Sequence, residues 1–569
     1  MSKQPGLTPL GKIISYLFIF GLVALGAFVL VKRSAKVAEP TGSTAVTVTP
    51  TPGVTVTPGE TAASAVPGNY IEPAPQAPRL PPAAAYVPKD NIVDVELSEY
   101  AGYAGLIAAN GGLEPSENSI FFKKYGFKLK LALSEEESWP ALNSGKLAAS
   151  ATTADVLAVY GRQFQVVVPA QIGFSRGADG VVVRSDIKRI NDLKGKTLAT
   201  SQFTEADFFI RYLAQEAGLG INMLSDATTV PDPEKLNLVY AEDAFVAGDL
   251  FLKNLQDGRG ELAGFVGWAP KTGEVIDQSG GKARSLTTNR NLLIIADILI
   301  ANKGFAEQNP KMVEGLVHGL LEGNRLVREN PSDALLDVIG KAFKWDRAQT
   351  KAQLASVHLS NLPENLAFFS GEIDAAGSFG GIFQSAVYSY GKDIIPDPAD
   401  PSRFVDVRNL QVLQQSGEFA NQTIAIAPIK STNNPSLEDN PLLSKDIRFY
   451  FEPNSAKLDL ANPDNTKNLE DVKRLLQVSP GSTILLRGHV DDSLVPEFRK
   501  QGGESFVRKM ALGAMELSRN RAKEVKQQVV SRFQIDPARI ESVGRGWEEP
   551  AGKDPDKNRR VEVQWFTVE

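Results

Sequence analysis

The sequence has no cysteine and only three histidines, five methionines and five tryptophans in 569 residues. Without cysteine there can be no disulfide scaffold, thiolate zinc site, cysteine nucleophile, iron–sulfur cluster or lipid-modified N-terminal cysteine. The histidines, His318, His358 and His489, are far apart and offer little to imidazole catalysis or a multi-histidine metal centre. Excess positive charge is also missing. Lys and Arg number 61 against 67 Asp and Glu, a net charge of −6, which argues against a nucleic-acid partner. Neither a Walker phosphate loop nor a Gly-x-Ser-x-Gly elbow occurs. These absences point to a binding protein rather than an enzyme, with no catalytic residue, metal or cofactor expected. At roughly 100–200 residues per domain, the length suits three or four folding units.

Residues 13–31 (IISYLFIFGLVALGAFVLV) are nineteen uncharged, mostly apolar positions between Lys12 and Lys32. As a helix they would span about 30 Å, the thickness of a bilayer core. The run is longer than a signal-peptide core, and KRSAK follows it rather than a small-residue cleavage site. A retained single-pass anchor is therefore expected, with residues 1–38 as tail and helix. Flanking charge alone does not orient it, because Lys32, Arg33 and Lys36 outnumber Lys3 and Lys12. Residues 39–90 read as a disordered Pro/Thr-rich stalk, with 11 of the 35 prolines falling in 40–88.

From Asn91 to about 424, β-rich runs alternate with amphipathic segments. Strands are expected at 127–133, 164–169, 180–184, 196–200 and 292–300, and helices at 205–217, 310–328 and 332–343. This alternation predicts an α/β architecture with largely parallel sheets and ligands at the carboxyl ends of strands.

Four phrases in this region resemble the periplasmic solute-binding proteins of nitrate/taurine-type ABC transporters. They are ALNSGKLAASATTADVL (141–157), GFSRGADGVVVRSDIKRINDLKGKTLATSQFTEADFF (173–209), GFVGWAPKTGEVID (264–277) and ADILIANKGFAEQNPKMVEGLV (296–317). The resemblance implies a bilobal, type II binding-protein domain, with a second lobe over about 186–285 and a small molecule held between the lobes. By position it implies Thr152, Thr153, Arg176, Asp179, Ser201, Gln202, Trp268 and Asp297 as ligand-binding residues. Each also has a structural reading. Thr152 and Thr153 suit helix caps, Trp268 suits lobe packing, Asp179 could pair with Arg176, and Asp297 could be a paired buried charge. Arg176 suits an oxoanion as a forked clamp, whereas the aspartates suit an amine. Thiamine-pyrimidine synthases share this fold, but a cysteine-free chain cannot supply their iron-binding signature.

A second linker is expected at 425–441 (APIKSTNNPSLEDNP lies within it), followed by a βαβαββ unit over 442–569 that begins with a strand at 447–452. FYFEPNSAKLD (449–459), GHVD (488–491), LSRNRAKEV (517–525), IESVGRGWEEP (540–550) and NRRVEVQ (558–564) resemble the OmpA-like peptidoglycan-binding domain. The resemblance implies that Asp491 and Arg521 bind the diaminopimelate of the stem peptide, taking its ammonium and its carboxylate respectively. Val490, Leu494 and Ala514 depart from the family pattern, and Asp491 and Arg521 stand 30 residues apart, with an inserted loop or helix extension expected between them.

Both resemblances are to extracytoplasmic domains, which would place the bulk of the chain in the periplasm, anchored in the inner membrane. The expected function is a tethered receptor for a small solute, working with an ABC permease or an envelope signalling partner. The alternative is a structural protein linking membrane to wall, its binding-like domain serving as a docking platform. A motor stator is excluded, because its proton path needs an intramembrane carboxylate and 13–31 contains none.

Overall fold

The computed structural model describes residues 69–134, 138–329, 331–372, 377–426, 441–452 and 455–567. The anchor expected at 13–31, most of the stalk and most of the second linker lie outside these residues. Among the described residues, no helix is long and apolar enough to cross a membrane.

The first lobe is built on a six-stranded sheet in the order Val357–Leu359, Val166–Ser175, Ala296–Asn302, Ala149–Thr153, Ile92–Leu97, Lys128–Leu133. The second has seven strands, in the order Tyr70–Ile71, Leu236–Ala241, Thr197–Ser201, Gly264–Trp268, Asp179–Arg184, Ala283–Thr288, with Ile221–Met223 beside Leu236–Ala241. The chain crosses between lobes at 176–178 and returns at 289–295, so the second lobe runs from 179 to 288 rather than from about 186 to 285. The sheets are mixed, not largely parallel. Ala296–Asn302 runs antiparallel to both its neighbours, because a strand returning from the other lobe starts at the cleft, where Ala149–Thr153 ends.

Local sequence accounts for the main elements. Ala296–Asn302 is buried along its whole length, and its apolar run Ile298–Ala301 suits a central strand covered on both faces. Pro310–Arg328 starts with proline at its first turn and buries Val313, Leu316, Val317, Leu320 and Leu321 at helical spacing. A Cβ at Gly323 would clash with the Gly105 carbonyl, so glycine there lets this helix pack tightly on Ala104–Asn110.

Two segments join the lobes besides the crossovers. Residues 70–86 were expected in the stalk from their proline content, but they form a strap. Tyr70–Ile71 pairs with the second lobe. The Gln202 amide then brackets Ala74, accepting from its N–H at 2.9 Å and donating to its C=O at 2.8 Å. On the first lobe, Gln163 holds Leu80, and Asn302 accepts from Tyr86 N–H. Neighbouring side chains satisfy this backbone, so it needs no core of its own. The helix Phe379–Ile394 is the second connection, packing on both Ala154–Tyr160 and Glu205–Glu216.

The C-terminal module has the expected βαβαββ order. Its sheet runs Leu443–Ile447, Val561–Phe566, Thr483–Gly488, Ile540–Gly544, with Pro463–Val478 and Val495–Phe533 as helices. The first strand lies at 443–447 rather than 447–452, and Phe451 instead bridges to Leu458. The excess between Asp491 and Arg521 is a helix extension, broken at Gly502–Gly503, where Gly503 takes φ 62°. The module sits on the second lobe. Asn191 and Ser444 exchange hydrogen bonds, Glu216 pairs with Arg474 and Lys445, and Leu293 in the return crossover donates to Val478 O at 2.8 Å.

Gln202→Ala removes both bonds to Ala74 and should cost about 1–2 kcal/mol. Hydrogen exchange at residues 70–75 should rise selectively; unchanged protection there would mean that the strap is held by other contacts.

Candidate functional site

A cavity of about 220 Å³ lies between the lobes, with a smaller recess at its floor. Strand register builds the floor. In the second lobe Asp179 is the cross-strand partner of Trp268, and in the first Asp297 is the partner of Thr153. The crossovers begin or end at these strands, so each lobe presents one aspartate and one further polar residue where the chain passes between them.

Thr152, Thr153, Ser201, Gln202 and Trp268 line the main cavity, and Asp179 and Asp297 line the recess. Thr153 occupies the cap position of Ala154–Tyr160 but makes no side-chain cap bond. Thr152 Oγ1 and Trp268 Nε1 are buried without a hydrogen-bond partner among the described residues. Arg176 does not line the cavity. Its Nε donates to Arg290 O at 2.8 Å, and Asp179 accepts from Asn289 Nδ2 at 3.2 Å rather than pairing with Arg176. The forked clamp on an oxoanion is therefore not built.

Several lining residues escaped the sequence reading. Glu96 lies near the end of the strand Ile92–Leu97, and Ser98, Tyr100 and Tyr103 follow it. The Tyr100 and Tyr103 hydroxyls donate to Asp297 at 3.2 and 3.4 Å. Glu205, Glu242 and Asp243 follow strands of the second lobe. The usable signal was the rule that loops after strand ends form the site, applied to a strand at 92–97 that had not been recognised.

Asp179 and Asp297 are 3% and 2% exposed. Burial raises the pKa of both, and for Asp297 the nearby Asp179 charge adds to it. Burial likewise pushes Asp155 up to about 7, against a lowering hydrogen bond from Thr153. His318 and His358 lie away from the cavity, bonded to Glu418 and Glu364.

In the C-terminal module, Arg521 lines a pocket of about 160 Å³ together with Arg448, Tyr450, Phe451, Arg559 and Arg560. Its guanidinium lies 4.8 Å from the Phe451 ring centroid. Asp491 accepts from Arg559 at 3.0 Å and from Ser493. Arg559 thus connects the two expected residues, and its signal was the NRRVEVQ phrase itself. His489, Glu549 and Glu562 could in principle hold a metal ion. Arg487 already binds both glutamates, at 2.7 and 2.9 Å, so their charge is met within the protein.

The lobes, cleft and appended module define a bilobal binding-protein fold joined to a small α/β domain. Residues 117–334 match the family described as NMT1/THI5 like, and residues 450–564 match the OmpA family. The chain thus carries an NMT1/THI5-like domain and an OmpA domain. No curated protein matches it. Among solved structures it is similar to the periplasmic aliphatic sulphonate binding protein SsuA from Escherichia coli, at 15% identity over 62% of this chain and 99% of that one, TM-score 0.42. It is also similar to the alkanesulfonate-binding protein SsuA from Xanthomonas axonopodis pv. citri, at 12% identity over 56% and 99%, TM-score 0.40. A third is the ligand binding component of an ABC-type import system from Staphylococcus aureus, at 11% identity over 56% and 98%, TM-score 0.40.

A carboxyl whose pKa is raised by folding adds stability below its unfolded value near 4, and that stability is lost as pH climbs through the raised value. These buried carboxyls should therefore contribute a loss of stability as pH climbs from about 4 through about 7 for Asp155 and Asp179, with Asp297, raised well above its ordinary value, adding to it. Asp297→Asn should flatten this fall and raise the unfolding midpoint at about pH 8 by roughly 3 °C. A lower midpoint in thermal unfolding would show that the carboxylate is stabilised where it lies.

Proposed function

We propose that this protein is an envelope receptor that captures a small solute between its lobes. The C-terminal module would bind it to peptidoglycan, and the N-terminal helix would hold it to the inner membrane, with the folded bulk in the periplasm. The observation that carries the reading is the cavity at the crossovers, where each lobe contributes an aspartate and buried polar atoms lack partners. Buried polar groups are normally satisfied, and a bound solute would supply what these lack. The two matched families agree with this division of labour. A permease or a signalling protein would be the partner that receives the ligand or senses occupancy.

The strap over 70–86 and the helix Phe379–Ile394 favour a second reading, since both resist separation of the lobes. A domain so fastened would serve as a docking platform between membrane and wall. Thermal unfolding of the full chain with a panel of amines, sulfonates and oxoanions separates the two. The receptor predicts a higher midpoint with at least one solute class; no rise with any of them would favour the platform.

For the wall module, the arginines around Arg521 suit the carboxylates of a stem peptide, while Asp491 suits its ammonium. Arg521→Ala and Asp491→Ala should each lower retention on purified peptidoglycan by about tenfold, the loss of one charge-assisted hydrogen bond. Full retention by both would place the wall site elsewhere.

A further inference from the structure

The chemistry of the cleft specifies the charge of its ligand. Among the described lining residues there is no lysine, arginine or histidine. The main cavity is lined by the acidic residues Glu96, Glu205, Glu242 and Asp243, and the recess by Asp179, Glu205 and Asp297. Carboxylates on an open rim would be ordinary solvated groups. Asp179 and Asp297 are different, since they are almost wholly buried and come from opposite lobes. Aromatic rings stand beside them: Tyr100 and Tyr103 meet edge to face at 5.1 Å, and Trp268 lines both the recess and the cavity.

An anion placed here would meet acidic side chains that repel it. A positively charged group would neutralise the aspartates from both lobes, which favours an ammonium ion. A further observation, independent of the acids, concerns hydrogen bonding. Trp268 is 7% exposed and its Nε1–H has no acceptor among the described residues. An indole N–H can only donate, so a ligand that completes the site also carries an acceptor.

We propose that the cleft binds a small organic cation, a primary amine bearing a hydrogen-bond acceptor, with its ammonium between Asp179 and Asp297 in the recess of about 20 Å³. This rests on the receptor reading given above. Because the two aspartates belong to different lobes, the cation is also a bridge that holds the lobes together. The titratable groups facing it are Asp179 and Glu205 from the second lobe and Asp297, Tyr100 and Tyr103 from the first, with Asp155 nearby. Burial favours the protonated acids in the free protein, and a cation favours their ionised form, so binding releases protons and tightens as pH rises.

The test is calorimetry and thermal unfolding of the full chain with ethanolamine, 3-aminopropanol and glycinamide, set against ethanesulfonate and nitrate. The expected result is binding of at least one amine and neither anion, with proton release read from the buffer dependence of the heat. Asp179→Asn and Asp297→Asn keep the side-chain shape and remove a buried charge, so both should fold; each should weaken the amine by about tenfold or more. Binding of an anion but no amine would overturn the cation assignment and leave the receptor standing. Amine binding untouched by both variants, or without proton release, would overturn the site. No binding by any probe would overturn the receptor reading, and this inference with it.

Discussion

Asp179 and Asp297 enter one recess from opposite lobes, each where the chain passes between lobes, and both are buried. Burial raises the pKa of both, and the Asp179 charge raises that of Asp297 further. Tyr100 and Tyr103 donate to Asp297 and Asn289 to Asp179, which offsets part of the cost of burial. The remaining cost is what a bound positive charge would remove. The architecture follows from this constraint, because any change in the angle between the lobes changes the separation of the two aspartates.

The surroundings of the crossovers are unusually well connected. The strap over 70–86 runs from the second-lobe edge to Asn302 of the first lobe, and Gln202, which it grips, also lines the cavity. The C-terminal module reaches the return crossover through Leu293 and the second lobe through Asn191 and Glu216. Gln202 is thus shared by the strap and the cavity lining, while the C-terminal module meets the return crossover at Leu293.

Much of this was legible in the sequence where a feature is local. The helix Pro310–Arg328 follows from apolar spacing and its leading proline. Trp268 stands at the carboxyl end of its strand, where the strand-end rule puts it, whereas Asp179 and Asp297 stand at the amino ends of strands entering each lobe and were placed by the resemblance. Arg176 was misplaced because composition cannot tell a guanidinium facing a ligand from one satisfied by a nearby carbonyl, here that of Arg290. The strap was read as stalk because proline-rich chain resembles a linker until its bonding partners are known; Gln163 and Gln202 lie more than eighty residues away in sequence. Asp491 and Arg521 came from short phrases, and Arg559 stands in another of them, NRRVEVQ, its contact with Asp491 being a long-range pairing that the phrase does not show.

The central claim is that one solute is held by both lobes at once. Hydrogen-exchange mass spectrometry of the full chain, with and without the solute that stabilises it best, tests this most directly. The account predicts new protection at the starts of both Asp179–Arg184 and Ala296–Asn302, together with the loop around Tyr100–Tyr103 and the strand ending at Trp268. Protection confined to one lobe, or found only away from the crossovers, would contradict it.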